Sequence, residues 1–530
     1  MRTALVPSRK MAKFRSGRAS KSKTFSAPVR GLVTNTNLSQ PVDQAALVLD
    51  NWFPLQTGIK PRGGCSKYAT VPTGVKALFA YQSGTTEALF AATATAIYDI
   101  TTVVDVDTAP SAAVSSLTSG DWTFVQFQTS GGDFLVGCNG TNTPQEYDGS
   151  AWSNSTMTGL TTSLLSHVWA HKSRLFFIQG GSMNFWYLPV GSKTGALTSF
   201  SLAGVFAKGG ALLFGATWSI DSGDGPDDYC VIVSTMGEVA VYAGTNPSDA
   251  AAWSLVGRYE IAAPLGKNAI ERAGGELLIA TVEGIIPLSE SINKDRAALS
   301  LSAVSRAIEP DWIQAAKDRG GQAWTLQKYD QRNMLVVGMP SPSASIAKLS
   351  FICNLETGAW CRFTGATWDV HAQTVLLGLH YVGDGSGSIF KTDVGGNDNG
   401  ALYVCNYVGH FDALGGGAAL KSVNLGRARF RATRAFIPKI SGVVDFGQST
   451  VTAPDSVANS TEDTWDVGIW DTAVWDASGS ALSVTSRWQA IALAGSEFAP
   501  QVQITCGVTP KPDAELMSFD VQYEYGAVVV

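Results

Sequence analysis

Five histidines are spread through the 530-residue chain: His167, His171, His371, His380 and His410. His167 and His171 stand four apart, the spacing of a zinc-binding pair on one face of a helix. Their surroundings, Val168-Trp169-Ala170 and Leu175-Phe176-Phe177, read as strand, which breaks that geometry, and no H-E-x-x-H occurs. Acid-rich turns run from Asp221 to Asp228 and from Asp393 to Asp398. They hold the oxygen ligands that calcium takes, but lack EF-hand spacing, and Asp/Asn/Gly clusters are also what ordinary turns contain. Seven cysteines are scattered singly, an odd count without C-x-x-C. They read as small hydrophobes in a reduced compartment, not as a disulfide framework or a zinc ribbon. Neither a G-x-S-x-G elbow nor a phosphate-binding G-x-x-x-x-G-K-[ST] loop is present. With 44 Asp and Glu, no pair of glycosidase carboxylates stands out. The expectation is a protein without catalytic residues, metal or cofactor, and not an enzyme.

The scaffold is easier to read than the chemistry. The chain has 55 Gly and 52 aromatic residues, with only 15% charged. Disorder needs the reverse balance, and no run of 18 apolar residues exists to cross a membrane as a helix. Gly, Thr, Ser, Val and aromatics without Lys/Glu-rich helical blocks predict an all-β, turn-dense fold.

Between residues 76 and 395 a unit recurs every 40–55 residues or so, the period of a four-stranded propeller blade: a β-run, a short polar turn and a second β-run. Tyr147-Asp148-Gly149-Ser150-Ala151-Trp152 and Asn354-Leu355-Glu356-Thr357-Gly358-Ala359-Trp360 each end a strand in a polar turn and land a Trp, placed to pack between neighbouring blades. Six or seven units can be counted, and six blades are expected. One segment, Glu309 to Asp318, reads as a short capped helix inserted in the array, with acids and Pro at its start and Gly320-Gly321 after it. Beyond Gly395 the texture changes to longer β-runs, consistent with a β-sandwich or platform. The expected division is a basic arm (1–30), an extended segment docking on the propeller or a neighbouring subunit (31–75), the β-propeller (76–395) and a β-rich platform (396–530).

Within the last region Arg427, Arg429 and Arg431 alternate, with Arg434 close behind, so the first three share one face of a strand, either solvated, paired at an interface, or in contact with DNA. Trp465-Asp466, Trp470-Asp471 and Trp475-Asp476 repeat at five residues, unlike the WD40 spacing of one pair per ~40–45 residues. Each Trp is expected to fill a pocket on a neighbouring element.

The opening, Ala27 to Leu32, then Asp50-Asn51-Trp52-Phe53-Pro54 and Gly58-Ile59-Lys60-Pro61-Arg62-Gly63-Gly64, resembles that of the nozzle, or tail tubular, proteins of short-tailed bacteriophages. The Trp-Asp run and the ending Phe519 to Gly526 are similar to that family's C-terminal region. The resemblance implies a structural tail subunit with a propeller and a platform. Six copies would form a ring beneath an adaptor and portal, a channel through which double-stranded DNA is ejected, assembled in the host cytoplasm into the virion tail. Tail fibres or spikes and the host envelope are further expected contacts. A receptor-binding or polysaccharide-degrading tail spike, expected as a trimer, is the alternative, with a glycan-binding lectin propeller behind it. Trp52 and Phe53, the basic arm residues Arg9, Lys10, Lys13, Arg15 and Arg18, the arginines 427, 429 and 431, and Trp465, Trp470 and Trp475 are the expected interaction residues.

Charge divides the chain as well. Residues 1–30 carry nine Lys/Arg and no acid, whereas the rest has 29 basic against 44 acidic residues, a net −15 within an overall −6. The arm has no apolar stretch of signal-peptide length, since Pro7, Arg9 and Lys10 interrupt it. A transit peptide, or a tether to an acidic partner or nucleic acid, fits its composition. An acidic body around a channel would repel phosphate and let DNA slide, an expectation that a channel wall dominated by Lys and Arg would overturn.

Overall fold

The computed structural model describes residues 20–221, 226–416, 419–432, 436–447, 452–453, 483–507 and 513–526. The fold is all-β, a propeller followed by a β-sandwich platform, as the composition and repeats predict. Among the described residues seven sheets form successive up-and-down units. Their first strands are Ala77–Ser83, Thr123–Thr129, Leu165–His171, Leu212–Asp221, Ile270–Ala273, Thr325–Tyr329 and Ala372–Leu376. Successive units lie side by side, and the first strand of unit seven returns against that of unit one, which completes the ring.

The expected six blades are therefore seven. Two units depart from the four-strand pattern, which blurs the count in sequence. Unit five has three strands and runs on into short helices, among them Leu288–Asn293 and Glu309–Asp318. Unit seven takes its fourth strand, Cys65–Thr70, from far upstream, with Ser388 opposite Thr70 and Thr392 opposite Cys65. Part of the segment expected to be extended thus latches the ring shut and covers an edge that would otherwise offer free backbone groups.

Aromatic side chains fill the seams between units, which is why so many strand residues are buried on both faces. Between units one and two, Phe79 stacks on Phe124 with centroids 3.7 Å apart, and Trp152 meets Phe90 edge-on at 4.9 Å. The preceding turn is held by Asp148, whose Oδ1 accepts from the amides of Ser150 and Ala151. Trp360 donates from Nε1 to the Val304 carbonyl at 3.0 Å, so the second signature Trp also ties its unit to the preceding connection. Helix Glu309–Asp318 carries Pro310 and two acids in its first turn but has no side-chain cap. It is fixed through Trp312, which is buried between Trp324 and Phe351 and donates to the Thr281 carbonyl.

The platform is stitched from both ends of the described chain. Unit six continues outward without a break: Ala46–Asp50 lies beside Trp360–Thr364, followed by Tyr403–Gly409, Phe498–Cys506 and Lys439–Val444 in one eight-stranded sheet. A second sheet centres on Lys421–Ala432 and Ala514–Tyr525. It takes in Lys21–Ser26, Trp52–Pro54 and Ile59–Pro61 from the opposite end of the sequence. Phe430, Leu516, Phe519 and Val521 from this sheet pack with Tyr407, Val502 and Ile504 from the other, in a core continuous with unit six.

Candidate functional site

The segment that carries the family resemblance forms the joint between propeller and platform. Asn51 adopts the left-handed conformation (φ 60°), tolerable for Asn, and this turns the chain between two strands. Its side chain donates to Thr364 Oγ1 and the Val404 carbonyl and accepts from the Thr364 amide, each at 2.8 Å. Arg62, fully buried, donates from Nε to Asn51 Oδ1 and grips Asp398 with both terminal nitrogens, at 2.8 and 2.6 Å. Its guanidinium lies 4.0 Å from the Tyr403 ring centroid. Burial opposes the charge, yet the Asp398 hydrogen bond and nearby anionic groups hold the Arg62 pKa above its ordinary value. The two glycines that follow are forced by crowding: a Cβ on Gly63 would sit 2.2 Å from Asp393 Oδ1, and one on Gly64 2.1 Å from the Asn397 carbonyl oxygen. Asp50 accepts from Arg362 Nε at 2.7 Å on the same seam.

Trp52 and Phe53, expected to meet a partner, are instead buried in the shared core. Their burial follows from the strand Trp52–Pro54, which lies at the edge of the second platform sheet and packs against unit six. The turn from Asp393 to Asp398, weighed as a calcium loop, spends its carboxylates on arginines, Asp393 on Arg332 and Asp398 on Arg62.

Arg427, Arg429 and Arg431 share the outer face of the platform, as alternation predicts. Two carboxylates on the neighbouring strand meet them. Asp520 Oδ2 accepts from Nε of Arg427 at 2.9 Å and of Arg429 at 3.0 Å, and Glu515 accepts from Arg431. Thr24 Oγ1 donates to the other Asp520 oxygen at 2.7 Å. Burial pushes the Asp520 pKa up, but these hydrogen bonds win and hold it below the usual carboxylate value. Arg427 lies 4.6 Å above the exposed Trp488 ring. The row is thus largely neutralised within the chain. Arg434, the arm residues Arg9, Lys10, Lys13, Arg15 and Arg18, and Trp465, Trp470 and Trp475 lie outside the described residues.

At the propeller axis the first strands enclose a cavity of about 410 Å³. Lys267, at the start of unit five, reaches the carbonyls of Asp121 at 2.6 Å and Ser166 at 2.9 Å, which belong to units two and three. His167 and His171 sit on a strand and not on a helix, so the spacing of four sets them ~13 Å apart along one face and not one helical turn apart. His167 Nε2 meets the Gly215 carbonyl at 3.0 Å, while His171 contacts Thr217 Oγ1 and the Gly244 carbonyl. Burial pulls their pKa values down to about 3 and about 4. His380, buried between Thr392 and Gln373, is lowered to about 3 for the same reason. All seven cysteines are buried, and none is in a disulfide.

Sequence reasoning missed the Arg62–Asp398 pair, the axis-bridging Lys267 and Glu271, whose pKa burial raises to about 7. Arg62 stood inside the quoted motif. Its partner lies 336 residues away, and nothing local marks the pair.

No protein-family model matches the chain, and no curated protein matches it. Among solved structures, the computationally designed Ika8 protein is similar over 62% of this chain and 100% of its own, at 11% identity and a TM-score of 0.36. Raptor from Chaetomium thermophilum is similar over 64% of this chain and 29% of its own, at 12% identity and a TM-score of 0.39. Both TM-scores lie below 0.5, and the fold described above is read from the sheet topology alone.

Proposed function

We propose that the chain is a structural subunit of a short-tailed phage tail, a nozzle protein that assembles as a six-membered ring for genome ejection. The observation that carries this reading is the role of the motif that suggested it. Asn51-Trp52-Phe53-Pro54 and Arg62-Gly63-Gly64 supply the turn, core residues, buried cation and crowded glycines that lock a propeller to a platform. A ring subunit under load needs its two bodies to move as one, and a continuous sheet with a buried bidentate ion pair at the joint serves that purpose. Lys267 bridges the propeller axis, so in this reading the DNA conduit runs between copies and not through each propeller. The paired arginine face fits a wall that a duplex passes without being held tightly, because two of its three positive charges are already met by Asp520 and Glu515. The adaptor and portal end of the tail is the proposed neighbour, and the basic arm the proposed tether.

Native mass measurement and electron microscopy of the purified full chain test the assembly. Six-fold rings are expected. A trimeric, elongated particle would replace the nozzle reading with the spike reading.

A further inference from the structure

We propose that the free edge of the strand Lys21–Ser26 is the seat of the chain's own basic arm, with Arg9 to Arg15 lying along it as one further antiparallel strand. Lys21–Ser26 is bonded on one side only, to Ala514–Tyr525, and among the described residues no strand or single bridge takes its other side. A row of unpaired N–H and C=O groups is a template for another strand. A cavity of about 380 Å³ lies against it, where one water needs only ~10–15 Å³. Lys23, Thr24, Phe25 and Ser26 line this cavity in unbroken succession. Side chains of a strand alternate between its two faces, so a space that touches four residues in a row runs along an edge and not over one face. The stretch Pro41 to Ala45 supplies a second run of consecutive lining residues, which makes the space a slot between two lengths of backbone.

Chain length and charge name the occupant. The strand is entered from Ser20, and residues 1–19 ahead of it carry six Lys/Arg and no acid. Ser16-Gly17 is a turn dipeptide, and Ser16 to Ala19 make a four-residue hairpin loop that sets Arg15 opposite Ser20 and Arg9 opposite Ser26. Fully extended, those four residues span no more than ~14 Å, so the stretch before them meets its own strand before that of another copy. Of the charged groups in the slot, Lys23 is paired with Asp412, whereas Asp43 is exposed and has no cation on it among the described residues. Burial pulls the His410 pKa down, so His410 adds no charge at neutral pH. The slot thus carries one unmatched negative charge, which Arg9, Lys10, Lys13 and Arg15 complement. A seated arm still turns alternate side chains outward and can serve as a tether, and a seat on the same chain does not depend on the ring assembly.

The test is hydrogen exchange, read by mass spectrometry on the intact full chain and on a free peptide of residues 1–19. Amides of residues 9–15 are expected to exchange tenfold or more slowly in the chain than in the peptide. Alternate N–H groups of an antiparallel strand face its partner, so Met11→Pro with Ala12→Pro removes one of them in either register and should abolish the protection. Asp43→Lys, at an exposed position, should speed exchange of the arm threefold or more with an unchanged thermal melt. Exchange as fast as in the free peptide would overturn the proposal. So would protection that survives both prolines, which would mean an arm held by charge alone, or protection lost on dilution, which would mean the arm of a second copy.

Discussion

In the seam between propeller units one and two, Phe79, Phe90, Phe124 and Trp152 meet ring to ring. On the platform face, Arg427, Arg429 and Arg431 lie across Asp520 and Glu515. Both regions are antiparallel sheet, yet one is closed by apolar and aromatic contact and the other is dressed by ion pairs. Contacts of the first kind lie between residues near in sequence, since each unit meets the next. Those of the second join strands some 90 residues apart, and the strand Lys21–Ser26 pairs with one about 500 residues on. The propeller is therefore a chain of local decisions, whereas the platform forms only when both ends are brought together.

The joint between the two should be the most sensitive point. Arg62→Met leaves the Asp398 carboxylate buried with no cation, and removing one partner of a buried pair costs about 3–5 kcal/mol. Chemical denaturation should show a loss of that order and a separation of propeller and platform transitions. A loss under about 1 kcal/mol, with a single transition kept, would mean that the joint does not couple the two. Adding Asp398→Leu should recover much of the loss, because the uncompensated charge is then gone.

Acidification should divide the regions next. His167, His171 and His380 all belong to the propeller and are held neutral, with pKa values pulled to about 3–4 by burial. Their unfolded forms titrate near 6.5, so the unfolded chain takes up protons first. The stability they contribute is complete above that pH and is lost progressively as pH falls towards 4. Asp520 in the platform has a lowered pKa, so its contribution persists until pH drops below the ordinary carboxylate value near 4. Glu271 acts in the opposite sense. Its folded pKa is raised to about 7, so its ionisation erodes stability as pH rises from about 4.5 to 7, by at most about 3 kcal/mol. Thermal melts from pH 4.5 to 8 should show propeller stability falling on the acid side, with His380→Gln flattening the fall and Glu271→Gln raising Tm at pH 8. A melting temperature indifferent to pH between 6.5 and 4.5 would refute the histidine account.

The same contrast explains what the sequence made legible. The β-run, turn and β-run pattern is local, so the all-β class, the repeat and the inter-unit placement of Trp152 and Trp360 could be read directly. The blade count could not, because Cys65–Thr70 completes unit seven from across the chain and no local pattern says so. Trp52 and Phe53 looked like partner residues because aromatics in an extended segment resemble anchors. Their burial depends on strands more than 300 residues downstream. The strand reading of residues 167–171 did carry through, and it kept the histidine pair out of a helical metal site. Nothing local in the sequence marks the axial cavity, since its lining gathers a few residues from each of several units.

The smallest effect expected is also the one that bears most on whether DNA meets the platform. Arg429 is 44% exposed, and if it is lost Asp520 keeps Arg427 and Thr24 as hydrogen-bond donors. Arg429→Gln should therefore cost no more than ~1 kcal/mol, as half-exposed ion pairs generally do. Its effect on retention of double-stranded DNA separates the two meanings of an arginine row. Cations that bind phosphate release counterions, and removing one lowers affinity and reduces the salt slope by about 1. Cations already matched by carboxylates release few, so affinity and salt slope should both stay put. The ion pairs on this face predict the second result. A measurable drop in DNA retention at 50 mM salt, vanishing at 200 mM, would instead show that the row grips the duplex despite its partners, and the contrast between an apolar propeller and a self-neutralised platform would have to be redrawn.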